Sequence, residues 1–512
     1  GIIPDWTIPL LYDRMVFIGK IRIGGAYMKQ SASTGLLDRL RSTFIGDRKF
    51  YGKVFMLVLP IIVQNTISNF VNLLDNIMIG RVGTAQMSGV AITNQLMFVF
   101  SLAVFGGLSA AGIYGAQFFG AEDHDGLRNT VHFKLLTIAV TLVVAVVVFM
   151  TCGEQLISLY LTGDGDAAER AAMLEYGKSY LRIMLWGLLP FCLSQVYGGT
   201  LREMGESLLP MIASLIGVFT NLCLNYILIY GKLGFPALGV DGAAIATVIS
   251  RFVELVIIVV YAHKNSAKYR FIKGLYRTFK IPKSLALNII KKGIPLLLNE
   301  FFWALGMTTL TQIFSTRGLN VVAALNISST ISNMFNVIFI SMGSAVAVMV
   351  GQALGANDVP RAKQSAWRLI FFNFSICIVV GSVLFALSPI LPHIYKTSDD
   401  VMRLATRFMQ TSAVYMAVNA ISHCSYFTIR SGGKTFITFL FDSAYTWVIF
   451  VPFSYVLTHF TGLDIVVLYP LCYMADVIKC IIGLIVVKSG YWAHNIVADA
   501  ASARNIEADE AV

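Results

Sequence analysis

The stretch from Leu136 to Val148, LTIAVTLVVAVVV, runs thirteen residues without a charge. It constrains the fold more than any other feature. Apolar and polar residues do not alternate along it, so a membrane-barrel strand, which needs period two, is excluded. A run this apolar suits a bilayer-crossing helix, where about 20 mostly apolar residues span the hydrocarbon. Composition carries the argument to the whole chain: the set AVILMFWYC makes up 56% of 512 residues and charged residues only 13%, with a mean hydropathy of +0.72. Soluble domains are about a quarter charged, and too few charges remain here to build a surface facing water. The chain is therefore expected to be all-α, a polytopic membrane protein with room for roughly ten to twelve spans.

Twelve spans are predicted, at about 53–80, 84–120, 126–152, 171–199, 208–230, 242–261, 293–315, 321–355, 366–390, 401–429, 436–459 and 465–488. They group into a first lobe, 53–262, with helices 1–6, and a second, 293–490, with helices 7–12. A basic linker, 263–292, joins the two. Residues 1–52 read as a leader and 491–512 as a tail. The chain opens on Gly1 and becomes a plausible basic leader only from Met28, so the natural start is expected near Met28 and the preceding residues receive no role. Nine Lys and Arg lie between Arg14 and Lys53, and nine more between Lys264 and Lys292. The alternate loops offer only Arg81, Arg170, Lys232, Arg317 and Lys396. By the positive-inside rule both termini and the linker face the cytoplasm. The net charge of +11 is thus topology and contact with anionic lipid, not nucleic acid. The seven cysteines scatter through apolar segments without a C-x-x-C, and read as small core side chains.

The chain also repeats itself. Adding 235 to a residue number carries Pro60 to Pro295, Gly83 to Gly318, Gln117 to Gln352, Gly120-Ala121 to Gly355-Ala356, Thr162 to Thr397 and Asp164 to Asp399. After a slip of seven, Thr200-Leu-Arg-Glu-Met-Gly205 meets Thr428-Ile-Arg-Ser-Gly-Gly433. Six helices per half is an even number, so both halves enter the membrane from the same side. This predicts two pseudo-symmetric six-helix lobes in a parallel repeat, as secondary transporters use.

Ionisable groups inside spans cost about 2.5–3.5 kcal/mol each on insertion scales and so require a reason. The candidates are Asp75, Arg251, Glu254, Glu300, Asp442, Asp476 and Lys479. Arg251 with Glu254, and Asp476 with Lys479, stand three residues apart and are expected to neutralise each other on one helix face, as structural pairs. Glu300 has no cation within a turn of its own helix and follows Pro295, whose missing N–H weakens the local ladder. A carboxylate isolated in low dielectric can hold a proton or bind a cation, a sodium ion included. Its repeat-mate is Asn65, beside Gln64 as Glu300 is beside Asn299. Asp75 lies near the far end of the first span, where solvation is an equally good explanation. No phosphate-binding loop, H-E-x-x-H or paired Asp-rich magnesium motif occurs. A membrane enzyme is disfavoured on that ground, no cofactor is expected, and an ion gradient or passive flow must supply the energy.

Several segments together resemble the multidrug and toxic compound extrusion (MATE) family over about 53–492. They are Val71-Asn-Leu-Leu-Asp-Asn-Ile-Met-Ile-Gly80, Gly115-Ala-Gln-Phe-Phe-Gly-Ala121, Gly351-Gln-Ala-Leu-Gly-Ala356, Asn221-Leu-Cys-Leu-Asn-Tyr226 and Gly239-Val-Asp-Gly-Ala-Ala-Ile-Ala-Thr247. The resemblance implies export of organic cations from a cavity between two lobes, in exchange for inward protons or sodium. On it, Asp75 falls at the first-helix aspartate associated with proton coupling, and Glu300 at the seventh-helix glutamate of the sodium-coupled branch. Asn221 matches a fifth-helix asparagine; Asn225 stands where many members carry aspartate, and Asn419 where the sodium branch does. Asn65, Gln64, Asn299, Asn221, Asn225 and Asn419 are then the polar partners expected around the cavity. The implied setting is the cell membrane, as a monomer, with amphipathic, often cationic, substrates. The alternative is a flippase for lipid-linked precursors, which should place unpaired Arg or Lys in the cavity; Arg251 and Lys479, the deep cations, both have acidic partners on this reading.

Overall fold

A computed structural model of the chain describes residues 43–161, 166–277, 279, 281–395 and 397–498. The leader up to residue 42 with Met28, the tail from 499, and Thr162, Asp164, Lys280 and Lys396 lie outside the described residues. Among the described residues the structure is all-helical. The first half contains α1 (Arg48–Gly80), α2 (Thr84–Gly120), α3 (His124–Ser158), α4 (Ala167–Met184 and Leu188–Glu203 about the 3-10 turn Leu185–Gly187), α5 (Leu208–Tyr230) and α6 (Gly239–Lys264). The second contains α7 (Lys283–Ser315), α8 (Leu319–Gly355), α9 (Val359–Leu387), α10 (Asp399–Ser431), α11 (Thr435–Phe460) and α12 (Ile465–Ser489). That gives the twelve helices expected from hydropathy.

Local chemistry explains where they stop and bend. Asp47, Asp123 and Asp358 accept from the amides of Phe50, Gly126 and Arg361 at 2.8, 2.7 and 3.1 Å, and so start α1, α3 and α9. Pro190 cannot donate to the carbonyl of Trp186, and there α4 breaks into its 3-10 turn. In α11 the turns ahead of Pro452 are wound as π-helix, Leu440–Ala444 and Thr446–Phe450.

The repeat holds down to backbone angles. Helices α1 and α7 each run 33 residues around an interior proline, Pro60 or Pro295. Helices α2 and α8 each run 37 residues. Glu122 and Asn357, which the 235-residue shift superposes, both take the left-handed conformation, with φ 58° and 59°, a rare state for side-chain-bearing residues.

Packing shows what solvent the fold is built for. Val140, Val143, Val144, Val147 and Met150 of α3 all point outward, a stripe that is stable only against lipid. Nine helices among the described residues are long and apolar enough to cross a bilayer on their own. Helices α4, α7 and α10 fall outside that set. Of the cysteines, Cys152 and Cys223 are exposed and the other five are buried. The linker does not hang free. Tyr269, Phe271 and Leu275 are buried, Arg128 donates to the Phe271 carbonyl at 3.2 Å, and a His132 ring nitrogen lies 2.7 Å from that of Leu275.

Candidate functional site

Each half carries a deep carboxylate that accepts its hydrogen bond from a neutral side chain. In the first, Asp75 on α1 accepts from Asn225 Nδ2 on α5 at 2.7 Å. The same amide donates to Asn221 Oδ1 at 3.1 Å, and Asn221 Nδ2 donates to Thr247 Oγ1 on α6 at 3.2 Å. A polar chain thus links three helices. Asn221 and Asn225 are one helical turn apart, so one face of α5 presents both. Asn225 Oδ1 is buried without a hydrogen-bond partner, an acceptor that a protonated Asp75 could satisfy. Tyr230 ties α5 to α1 through the Met78 carbonyl at 2.9 Å.

In the second half Glu300 on α7 accepts from the Tyr426 hydroxyl on α10, a long bond of 3.4 Å. Its neighbour Asn299 is buried and donates to Tyr426 at 3.2 Å and to Asp442 Oδ2 at 2.9 Å. Ser443 donates through its hydroxyl to the Asn299 backbone and side-chain oxygens, both at 2.8 Å. Asp442 lies in the first π-helical turn of α11, and its other oxygen pairs with Lys479 Nζ on α12 at 2.6 Å. Glu300 and Asp75 have no ion pair within 4 Å among the described residues.

The two expected one-helix ion pairs are corrected by this geometry. Lys479 takes its hydrogen-bonded partner from α11, Asp442, rather than Asp476 three residues earlier, because a long side chain reaches a facing helix as easily as its own. Arg251 makes no ion pair with Glu254; it donates to the Gly187 carbonyl, 3.2 Å away at the break in α4, and lies over Phe191 at 5.2 Å. Glu254 packs instead on Gly217 of α5. Asn419 and Asn65 are half-buried without a side-chain hydrogen bond among the described residues, while Gln64 accepts from Arg202 at 3.0 Å. Arg202 and Arg430 fall just beyond the expected spans 171–199 and 401–429, yet both lie in the last turns of helices. Arg430 is buried over Phe105, Tyr426 and Phe427 at 5.2–5.9 Å.

Sequence reasoning missed a buried charge pair altogether. Lys134 on α3 is only 2% exposed and contacts both Glu203 oxygens on α4, at 2.7 and 2.6 Å, with Thr200 at 3.0 Å. The signal was a lysine at the head of the uncharged run 135–149. A side chain at Gly115 would collide with the Glu203 carboxylate, so that glycine makes room for it.

Near the Glu203 backbone the halves touch. Gln352 donates to the Glu203 carbonyl at 2.8 Å, and Gln117 to that of Ser431 at 2.9 Å. Donors and acceptors are repeat-mates, so the two bonds are related by the pseudo-twofold. Any Cβ at Gly120 would run into the Gln352 carbonyl, and one at Gly355 into that of Gln117. Only glycine allows so close a backbone approach. Further along, Gly106 of α2 packs on Leu297 and Glu300, which places Glu300 where the halves face each other.

Twelve lipid-facing helices in two repeated halves, with polar groups gathered on their facing helices, define a secondary-transporter fold. The MatE family model matches residues 60–227 and 295–456, most of both halves, and the chain belongs to this family of membrane transporters. It is 24% identical over 415 residues to the probable multidrug resistance protein YoeA of Bacillus subtilis, covering 80% of this chain and 87% of that one. To the probable multidrug resistance protein NorM of Thermotoga maritima it is 23% identical over 445 residues, covering 86% and 92%. Among solved structures, a crystal structure of MATE in the straight conformation matches with TM-score 0.76 at 22% identity, over 88% of this chain and 97% of the other. The two-lobed helical fold expected from the repeat is thus shared with solved transporters.

Proposed function

We propose that this chain exports amphipathic, cationic small molecules in exchange for protons or sodium ions moving inward, with Glu300 and Asp75 carrying the exchangeable negative charge. One observation carries the reading: each half holds a carboxylate within its helices, Asp75 or Glu300, that accepts a hydrogen bond from a neutral side chain and has no ion pair within 4 Å among the described residues. The adjacent Asp442 is matched by Lys479 and so has no charge to spare. A proton or sodium ion loading Glu300 removes the charge that holds an organic cation, and the substrate leaves on the side where the ion enters. Re-exposure to the side of low ion concentration restores charge and affinity. Asp75 works through its relay: once protonated it donates to Asn225 and re-sorts the bonds to Asn221 and Thr247, shifting α1 against α5 and α6. A sodium ion at Glu300 would draw further on the Tyr426 hydroxyl. The positive-inside rule supports a plasma-membrane protein with both termini in the cytoplasm, and a monomer is complete for this cycle.

The test is dye efflux from vesicles holding purified protein, under an imposed proton or sodium gradient. Efflux that follows one gradient and collapses when that gradient is removed supports the reading; efflux indifferent to both overturns it. Coupling must also be reciprocal. At equilibrium, protons or sodium should weaken substrate binding by the factor with which substrate weakens theirs. A flippase for anionic lipid precursors is the second reading, and one observation favours it: Arg202 and Arg430 are deep cations without a carboxylate partner within 4 Å among the described residues. Transfer of a fluorescent diphosphate-lipid between leaflets, without dye efflux, would select it.

A further inference from the structure

Beside the glutamine contacts between the halves lies a cavity of about 960 Å³ with an unusual charge lining. Six basic side chains reach it from three separate segments: Lys49 and Lys53 from the start of α1, Lys268 and Arg270 from the linker, Arg361 and Arg368 from the first turns of α9. Only Asp47 and Glu122 oppose them, and Asp47 is engaged in capping α1 at the Phe50 amide. Lys268 is paired with Glu206 at 2.5 Å. Lys49, Lys53, Arg270 and Arg361 make no ion pair among the described residues.

Topology alone explains why this end of the molecule is basic. It does not explain convergence, since the positive-inside rule is met by charges pointing anywhere into water. Bringing six cations around one concavity costs mutual repulsion, and a polyanion placed among them relieves it. The walls are amphipathic as well. Phe50, Phe119, Met349 and Ala353 line the cavity alongside the cations, and Arg368 lies over the Phe50 ring at 5.6 Å. Arginine forks match phosphate oxygens two at a time, while lysines act as point charges on the same group. Basic pockets between helices with apolar walls suit a phosphorylated headgroup and the first carbons below it.

We infer that this cavity is a binding site for a phosphate-bearing anion, an anionic phospholipid headgroup or a free phosphate compound. The inference does not rest on the transport reading, nor on which side of the membrane this end faces. Gln352, Gly120 and Ala356 also line the cavity, so it adjoins the contact between the halves. Lys268 and Arg270 sit on the linker, which packs on α3. Lys49 and Lys53 sit on the start of α1, where Phe50 and Val54 pack with α8 and α9. An anion bridging these groups therefore holds the two halves together at this end.

The full chain, purified in a neutral detergent, is titrated with phosphatidylglycerol, with phosphatidylcholine, and with inorganic pyrophosphate, and bound species are counted by native mass spectrometry. We expect phosphatidylglycerol to bind at least tenfold tighter than phosphatidylcholine. The combined variant Lys49→Gln, Lys53→Gln, Arg361→Gln should lose that preference; all three residues are exposed, and an unchanged melting temperature checks folding. A control variant, Lys283→Gln, Lys291→Gln, Lys488→Gln, removes equal charge outside the cavity and should keep the preference. If pyrophosphate instead binds the wild type, displaces lipid and fails to bind the cavity variant, the site stands with a soluble phosphate as its ligand. Bound anion should also slow amide hydrogen exchange at 117–123 and 352–358 in the wild type but not in the cavity variant. The inference is overturned if the cavity variant binds every probe as the wild type does, or if the control variant loses the preference equally.

Discussion

The two halves share a backbone plan but fill it differently. Around Asp75 the first half offers Asn225, Asn221 and Thr247, a neutral chain with one unpartnered oxygen. Around Glu300 the second half offers Tyr426 and Asn299, backed by the Asp442–Lys479 pair. The first half has a buried pair too, Lys134–Glu203, but places it beside the contact between the halves. What the repeat retains is backbone geometry: Gly120 and Gly355, Gln117 and Gln352, Glu122 and Asn357. What it varies is the charge between helices. Close backbone approach tolerates no substitution of glycine, whereas a polar cluster can be rebuilt from other residues as long as its hydrogen bonds close.

The sharpest way to break this comparison is at its acids. Glu300→Gln should abolish gradient-driven efflux, a loss of at least about a hundredfold or 2.7 kcal/mol, with the melting temperature unchanged. The variant keeps size and hydrogen bonding but cannot exchange a charge. Wild-type efflux across the pH range would assign Glu300 to structure alone. Next comes the partner pair. Lys479→Met leaves Asp442 buried without its cation, and should destabilise the fold by about 3–5 kcal/mol in a denaturation experiment in detergent. Adding Asp442→Asn should restore most of that, and a double variant no better than the single would show that packing of the lysine stem, not charge, was lost.

Asp75→Asn should lower efflux by about tenfold, near 1.4 kcal/mol, and more steeply under a proton gradient than a sodium gradient. The reason lies in its partners: an amide at position 75 offers both donor and acceptor at all pH values, fixing the Asn225 relay in one arrangement. Equal losses under both gradients would sever Asp75 from proton movement. The smallest effect concerns the symmetric contact. Gln117→Ala and Gln352→Ala each remove bonds of about 1 kcal/mol apiece. Gln352→Ala breaks one to Glu203; Gln117→Ala also frees His494 and Ile496, so it should open this end more readily. Hydrogen exchange at 117–123 and 352–358 reads the difference, and a larger effect from Gln352→Ala would show that the number of bonds at each glutamine does not set how readily this end opens.

The membrane class, the twelve helices and the repeat were legible without coordinates, because each rests on short-range or periodic properties. Uncharged runs of about twenty residues have one stable solution in lipid, and a gapless offset of 235 through proline, glycine and glutamine records a duplicated backbone. Asp75 and Glu300 were also visible, since an acid inside an apolar span stands out against its neighbours. Their partners were only half legible. Asn221 and Asn225 could be read as one face of α5, but that the face meets Asp75 depends on how α1 and α5 pack. Spacing along one helix suggested Arg251–Glu254 and Asp476–Lys479, yet neither is a direct ion pair within 4 Å among the described residues, because facing helices brought Gly187 and Asp442 within reach. Lys134 looked like the edge of a span until α4 supplied Glu203. The chain determined by itself which segments enter the bilayer, since that is settled residue by residue against solvent. Which charge answers which was decided by tertiary structure alone, because the competing partners lie on different helices and only packing sets their distances.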